Sequence, residues 1–292
     1  MGRYLDPKAD VVFKKIFGQH PHLLKSFLNA VLPLPEDGLI AELEYLPSEQ
    51  IPEIPAFKRT IVDVKCKDIQ GRIFIVEMQV EWVESFMQRL LFGTAQAYVK
   101  QLKPGETYHL LNPVYGLALV NSVFDTGTKD WYHHYGLVKL DNPEKEVIKG
   151  LTLVFVELPK FKVTSRVDRK LKLLWLRFMR EITGDTKEID PALLEVPEIK
   201  EAIALAEEAA FSPAELEAYE SYWKAVSSEK TLREESRLEG KAEGKIEGKI
   251  EGEIKGRAAA MLETAKNMKS DHLPIEMIAK YTGLSTVDIE KL

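Results

Sequence analysis

Two β-branched segments decide the fold of this chain: KRTIVDVKCK at 58–67 and RIFIVEMQVE at 72–81. Apolar and polar residues alternate in both segments, which is typical of strands with two different faces. Between them lies a three-residue loop that ends in Gly71, and a glycine at positive φ commonly closes a hairpin of this length. We therefore predict a β-hairpin in which residue i lies opposite residue 140 − i.

This register places Asp63 opposite Glu77. Directly opposed residues have Cβ atoms about 4.5–5.5 Å apart, close enough for the two carboxylates to share one cation. Because side chains alternate along a strand, Lys65 shares a face with Asp63, and Gln79 and Glu81 share a face with Glu77. Both strands are otherwise strongly apolar, so buried carboxylates there are costly unless they have a partner. The hairpin thus predicts a carboxylate pair.

Paired carboxylates are hard oxygen ligands of the kind that Mg²⁺ or Mn²⁺ prefers, with waters and a substrate phosphate completing the shell. The backbone carbonyl of Met78, next to Glu77, is a candidate further ligand. A cation bound at Asp63 and Glu77 lowers the pKa of a bound water and stabilises charge on a phosphodiester in the transition state. Asp10 either completes the metal shell from the first helix or serves as the N-terminal acid of that helix.

The remaining elements follow from hydrophobic periodicity and from turn residues. They are one broken helix or two short helices over 10–31, strands over 39–46, 114–124, 132–140 and 151–158, a loop over 47–55, and a helix over 82–102. In the helix over 82–102, a buried stripe is predicted from Phe86, Leu90, Gly93 and Ala97. This order predicts an α/β fold with a mixed sheet flanked by helices.

Other polar residues have weaker patterns. Arg89 and Gln101 lie on the helix after the hairpin and are candidates for contact with phosphate; exposed or core-capping roles fit them equally well. His133 and His134 are adjacent on a strand, so their side chains point to opposite faces and do not chelate one ion together. Cys66 is expected to be a small core residue.

From residue 166 onward the pattern is helical, and four regions are predicted: a core over 1–165, a helical extension over 166–228, a Glu-Gly-Lys repeat over 229–257 and a small helical hairpin over 258–292. Each interior glycine of the repeat costs a helix about 1 kcal/mol. The repeat is therefore either a solvated linker or a self-associating helix that forms a homo-oligomer. In the tail we expect two helices around Gly283, with Ser285 as a cap. The second helix is acidic, which favours a packing hairpin over a DNA reader.

The amino-acid composition limits the cellular location and the partners that we expect for this protein. The single cysteine fits a reducing compartment, and the first residues have no apolar signal region. No uninterrupted apolar run approaches the roughly 18–20 residues that span a bilayer. These observations predict a cytoplasmic protein without a membrane partner. The formal net charge of −6 argues against a uniformly basic surface for nucleic acid but leaves room for a local basic groove.

Several stretches together resemble one known family. They are LDPKADVVFKKIFG at 5–18, IVDVK at 61–65, FIVEMQ at 74–79, the helix that carries Arg89, Tyr98 and Gln101, PVYG at 113–116, the Glu-Gly-Lys repeats and IAKYTGLS at 278–285. The chain resembles the Rpn family (recombination-promoting nuclease, putative transposase) of the PD-(D/E)XK superfamily. The resemblance covers nearly the whole chain and is most specific over residues 5–120.

The resemblance implies a restriction-endonuclease-like core followed by a C-terminal helical region, and a metal-dependent DNA endonuclease that acts in recombination or mobile-element biology. It implies that Asp63 and Glu77 are metal ligands and that Gln79 takes the place of the superfamily's lysine. Val62 stands where the superfamily name has proline, which has no role in the chemistry. An amide carries neither a positive charge nor a useful pKa, and our hypothesis is that Lys65 supplies the missing charge. The alternative function is a catalytically silent scaffold that binds DNA or associates through residues 229–292.

Overall fold

A computed structural model of the chain describes residues 3–47, 49–50, 60–61, 63–143, 147–162 and 170–292. It divides into two compact units, Met1–Ser227 and Ser228–Leu292. Within the described residues, no helix has the length and apolar character needed to cross a bilayer.

The sheet strands of the first unit are short except for the last. They are β1 (Leu43–Tyr45), β2 (Glu49–Gln50), β3 (Thr60–Ile61), β4 (Val64–Asp68), β5 (Ile73–Gln79), β6 (Val114–Val120), β7 (Tyr132–Val138) and β8 (Val147–Glu157). The helices of the chain are α1 (Asp10–Phe17), α2 (Pro21–Val31), α3 (Phe86–Val99), α4 (Leu171–Glu181), α5 (Pro191–Leu194), α6 (Pro197–Leu205), α7 (Pro213–Ser270), α8 (Ile275–Thr282) and α9 (Thr286–Glu290).

Six of these strands form one mixed sheet in the order β1-β4-β5-β6-β8-β7, and β2 pairs with β3 separately. Strands β5, β6 and β8 run parallel to one another, while β1, β4 and β7 pair antiparallel with their neighbours. Strand β6 lies between two parallel neighbours and is buried almost throughout, which explains its nearly continuous apolar sequence. The predicted fold class, a mixed sheet flanked by helices, is confirmed.

Helices cover the two faces of the sheet unequally. One face, with Phe74 and Val76 from β5, packs in the larger core with residues of α1, α2, α4 and α6. The other face, with Ile73 and Ile75, packs mainly under α3. The predicted stripe on α3 is buried as expected. Because neighbouring residues of β5 point to different cores, the position of a residue in this strand decides which helices surround it.

The hairpin has the predicted register. Val64 lies opposite Val76 and Lys65 lies opposite Ile75, so the residue numbers of each pair add up to 140. Gly71 has φ +80, and its N–H donates to the carbonyl of Asp68 over 3.0 Å. The predicted loop is therefore present, with glycine at the positive φ that the turn requires.

The first arm of the hairpin differs from the prediction of one strand over 58–67. Thr60–Ile61 pairs with β2, and Asp63 forms a bend directly before β4 begins. Lys58, Arg59 and Val62 lie outside the described residues. Because the chain changes its strand partner here, Asp63 lies outside the paired residues of β4 and β5.

Most of the other predicted elements are present with shorter bounds, whereas the strand predicted over 151–158 begins earlier, at Val147. The residues over 10–31 form two helices, the strand over 39–46 is limited to β1, and the strand over 114–124 ends at Val120. Beyond Val120 the chain turns, and the Ser122 hydroxyl donates to the carbonyl of Val80. The predicted loop over 47–55 contains β2; Ser48 and residues 51–55 lie outside the described residues.

In the second unit, the Glu-Gly-Lys repeat is helical and forms part of α7. Its glycines have no atoms within 4 Å of the position where a side chain would begin. A small core is formed by Ala265, Ile278 and Ile289. The tail has the predicted two helices around Gly283, which has φ +70, and the Ser285 hydroxyl accepts the N–H of Asp288 over 3.1 Å.

Candidate functional site

The fold brings Asp63 and Glu77 together at the open end of the hairpin. Both residues lie one position beyond the Val64–Val76 pair. Strand β4 begins only at Val64, so it does not pair with β5 beyond Val76. The carboxylate of Asp63 takes over as acceptor: the N–H of Met78 donates to Asp63 Oδ2 over 2.6 Å. The backbone of β5 therefore holds the Asp63 side chain beside Glu77.

Burial makes both carboxylates reluctant to ionise. It raises the pKa of Asp63 to about 6, and the negative charge of Asp10 acts in the same direction, against the Met78 hydrogen bond and the charges of Lys14 and Arg89. Burial also raises the pKa of Glu77 to about 7, with the charge of Asp63 raising it further and Arg89 opposing the shift. The pair is thus a concentration of negative charge that a cation would stabilise.

Glu77 Oε1 is a buried acceptor that has no hydrogen-bond partner among the described residues. Leaving a buried carboxylate oxygen unpaired is expensive, and such an atom calls for a ligand. Asp63 and Glu77 therefore fit a hard divalent cation. The described residues contain no group of three or more His, Cys, Asp or Glu side chains that could hold a metal by themselves. Two carboxylates are nevertheless the usual protein share of a Mg²⁺ site, which retains waters and binds substrate phosphate.

Arg89 binds the end of β5 from α3. Its Nη2 donates to Glu77 Oε2 over 3.2 Å and to Gln79 Oε1 over 2.6 Å. The Gln79 amide nitrogen donates to the carbonyl of Glu81 over 2.6 Å. The Arg89 side chain is 46% exposed while that of Glu77 is 5% exposed. Arg89 thus places a solvent-accessible positive charge directly beside the amide of Gln79.

Helix α1 and the start of α7 complete the surroundings of Asp63. Asp10 and Lys14 form an ion pair on α1 with Nζ–Oδ1 2.8 Å, and the charges of both act on the Asp63 carboxyl. Burial raises the pKa of Tyr222, and the charges of Asp10 and Asp63 raise it further. We did not predict Lys14 or Tyr222 from the sequence. The i, i+4 spacing of Asp10 and Lys14 was the available signal for Lys14, whereas nothing in the sequence marks Tyr222.

Two further predicted residues, Lys65 and Gln101, are affected by groups outside the Asp63–Glu77 pair. Burial and the charge of Lys100 lower the pKa of Lys65. Gln101 forms a pair of hydrogen bonds with the backbone of Asn112, each 2.9 Å long, and thereby fastens the end of α3 to the segment before β6. The Gln101 amide thus has a structural task, and its contact with DNA stays a prediction, as does the metal-ligand role of the Met78 carbonyl.

Comparison with known proteins adds one finding. A family model described as PD-(D/E)XK nuclease family transposase matches residues 7–235, a range that contains all of the site residues named above. No protein of curated function and no solved structure gives a significant match to the chain.

Proposed function

Because this chain belongs to the PD-(D/E)XK nuclease family transposases, a family of nuclease and transposase function, we propose that it is a divalent-metal-dependent DNA endonuclease of the Rpn type. Nucleases of this superfamily generally use divalent metals. The observation that carries the proposal is the pair of half-buried Asp63 and buried Glu77, in which Glu77 Oε1 has no partner within the described part of the chain.

In this proposal Asp63 and Glu77 hold Mg²⁺ or Mn²⁺, and the Met78 carbonyl is a further ligand. Asp10 joins them only if its carboxylate leaves the ion pair with Lys14. When bound, the ion supplies a more acidic water and positive charge for the transition state of phosphodiester hydrolysis. The hydrogen bond from Met78 fixes Asp63, and the orphaned Oε1 of Glu77 gains its missing partner. The protein thereby provides a site whose geometry exists before DNA binds.

Arg89 is the residue that we propose for contact with the scissile phosphate. Its guanidinium is half exposed and already lies beside Glu77 and Gln79. Guanidinium groups bind phosphate oxygens with paired, charge-assisted hydrogen bonds. The amide of Gln79 orients Arg89, and in this proposal the Arg89 guanidinium alone provides the positive charge that lysine provides elsewhere in the superfamily. Lys65 and Gln101 remain candidates for secondary contacts with the substrate.

The setting that we propose is DNA recombination or mobile-element biology in the cytoplasm, in line with the single, buried cysteine. We also propose that the chain forms a homo-oligomer through residues 229–292. The repeat glycines have no close neighbours in the described part of the chain, so a second helix has room to approach.

Nicking of supercoiled plasmid DNA tests the function. We expect nicking in Mg²⁺ or Mn²⁺ that is lost on chelation and in both Asp63→Ala and Glu77→Ala. Glu84→Ala is the matched control, because Glu84 is an exposed carboxylate that follows the same strand. If neither metal supports nicking and metal titration shows no binding, the chain is a scaffold with a nuclease fold.

A further inference from the structure

One row of residues crosses the sheet at the carboxyl ends of β5, β6 and β8. It starts at Gln79 and leads to the residue directly before β7. Gln79 lies opposite Val120, and Val120 lies opposite Glu157. The N–H of Glu157 donates to the carbonyl of Trp131, directly before β7, over 2.8 Å. Neighbouring strands are about 4.8 Å apart, so Trp131 lies roughly 14 Å along this edge from Gln79. The row connects the Asp63–Glu77 site with the loop before β7.

Glu157 fixes that loop. Its fully buried carboxylate accepts the N–H groups of Phe124 and Asp125 over 2.6 and 3.1 Å, bonds His133 Nε2 over 2.9 Å, and forms an ion pair with Lys160. Burial opposes ionisation, but these partners outweigh it and hold the pKa of Glu157 below its ordinary value. A carboxylate with so many partners is structural, and it leaves the loop rigidly placed at the end of β8.

Lys160 holds the same loop from its other side. Its Nζ donates to the carbonyl of Asp125 and, over 3.2 Å, to that of Asp130. The side-chain carboxylate of Asp125 accepts hydrogen bonds from the N–H of Gly127 and the hydroxyl of Thr128. The segment between β6 and β7 is therefore held in one shape by buried and half-buried polar contacts.

A cavity of about 470 Å³ opens beside this segment. It is lined by Thr128, Lys129, Trp131, Pro159, Lys160 and Lys162. The lining thus contains three lysines, one aromatic ring and no carboxylate. Two carboxylates lie nearby in sequence: that of Asp130 is exposed, and that of Asp125 is hydrogen-bonded to Gly127 and Thr128. Lys129 and Lys162 are exposed, so their charges face solvent. A larger cavity of about 680 Å³ on the same unit includes Asp6, Asp185 and Glu220 in its lining, so the basic lining is a local feature.

We propose that this basic cavity binds the phosphodiester backbone of a DNA strand that continues from the Asp63–Glu77 site. Lys129 and Lys162 neutralise phosphates of that strand, beside the half-buried ring of Trp131, which packs against Phe161. This inference rests on the proposed endonuclease function and assigns part of its substrate contact.

DNA binding without cleavage tests the inference. The binding of a short fluorescein-labelled duplex and of its single strand is measured by anisotropy in EDTA, over a range of salt concentrations, with the full-length chain. The test variant is Lys129→Glu/Lys162→Glu, and the control is Lys103→Glu/Lys200→Glu, which reverses two exposed lysines that line neither cavity. We expect the test variant to lose about tenfold or more in affinity and about two phosphate contacts in the salt slope, whereas the control changes little.

The outcomes separate this inference from the function on which it rests. Unchanged affinity in the test variant, an equal loss in the control, or no DNA binding by the wild type overturns the inference. If the test variant loses binding although the wild type cuts no plasmid in either metal, the cavity is a DNA site and the endonuclease proposal fails. Circular dichroism of the test variant confirms that its loss of binding is not a loss of fold.

Discussion

Arg89 Nη2 lies 3.2 Å from Glu77 Oε2, and the same nitrogen donates to Gln79 Oε1 over 2.6 Å. A residue from α3 thereby supplies positive charge at the end of β5, where the motif itself has only an amide. The Arg89 charge lowers the pKa of Glu77 against the effect of burial. Arg89 therefore influences both the ionisation of the proposed metal ligand and the binding of a phosphate.

Arg89→Ala is expected to lower cleavage at neutral pH by about tenfold or more, because one charge-assisted contact to phosphate is lost. It should also move the acidic midpoint of the pH–rate profile upward, since Glu77 loses the neighbour that favours its ionised form. Initial nicking rates measured between pH 5.5 and 9 check both effects.

Lys65→Ala separates the two candidate sources of charge. Burial and Lys100 determine the pKa of Lys65, so we expect nicking close to that of the wild type and an unchanged pH midpoint. If Lys65→Ala removes cleavage while Arg89→Ala preserves it, the charge comes from the hairpin, and the role that we propose for Arg89 is wrong.

The Asp63–Glu77 pair should make a contribution to the stability of the metal-free protein that falls as pH rises. Asp63 and Glu77 have pKa values of about 6 and about 7 in the folded chain, above their ordinary values of 3.8 and 4.5. At pH values between the ordinary and the folded pKa of each group, the folded state holds more protons than the unfolded state. The contribution of these two groups to the free energy of unfolding therefore decreases with rising pH until both are ionised. Glu77→Gln removes one such charge and should stabilise the protein at pH 8 by roughly 1–3 kcal/mol.

Urea unfolding in EDTA at pH 5 and pH 8 measures this effect. Glutamine can still accept the hydrogen bond from Arg89, so the substitution mainly removes the charge. At pH 5 Glu77 is largely protonated and uncharged, and the stabilisation by Glu77→Gln should therefore be smaller there. Glu84→Gln, at an exposed carboxylate, serves as the control and should change the free energy of unfolding little at either pH. Equal changes from Glu77→Gln at both pH values would contradict the pKa assignment.

The hairpin register depends on Gly71. This residue has φ +80, and a Cβ atom there would lie 2.7 Å from Asn112 Nδ2. Gly71→Ala should therefore destabilise the protein by about 1–2 kcal/mol or more, through backbone strain and the displacement of Asn112. Gly105 has φ +90 with no atom within 4 Å of the added Cβ, so Gly105→Ala isolates the backbone cost. Equal unfolding free energies for the two variants would exclude a role for Asn112.

The hairpin and the Asp63–Glu77 pair were predictable because both depend on local rules, the two-residue period of strands and the turn chemistry of Gly71. The shortening of the first arm was not predictable, since it results from the pairing of Thr60–Ile61 with β2. Tyr222 approaches Asp63 from more than 150 residues away in sequence, and no periodicity reports such a contact. Glu157 was likewise hidden in an apolar strand, because its partners come from loops.

Alanine substitutions in the Glu-Gly-Lys repeat distinguish the two interpretations of that segment. Gly244 and Gly248 lie within α7 with no atom near an added Cβ. Gly244→Ala/Gly248→Ala should increase the helical circular dichroism signal, because each glycine costs a helix up to about 1 kcal/mol. Sedimentation of both proteins gives the association state. If the repeat pairs closely with a second copy, the added methyl groups weaken association; if it does not, the two proteins sediment alike.

The binding of Mn²⁺ at pH 8 tests the central claim most directly, because it examines the Asp63–Glu77 site without DNA. Calorimetric titration of the wild-type chain should show a Mn²⁺ site whose affinity falls as pH drops through about 7 to 6, where the two carboxylates take up protons. Asp63→Asn and Glu77→Gln should each abolish this binding, and Glu84→Gln should leave it intact. Equal Mn²⁺ binding by the wild type and Glu77→Gln would contradict the account.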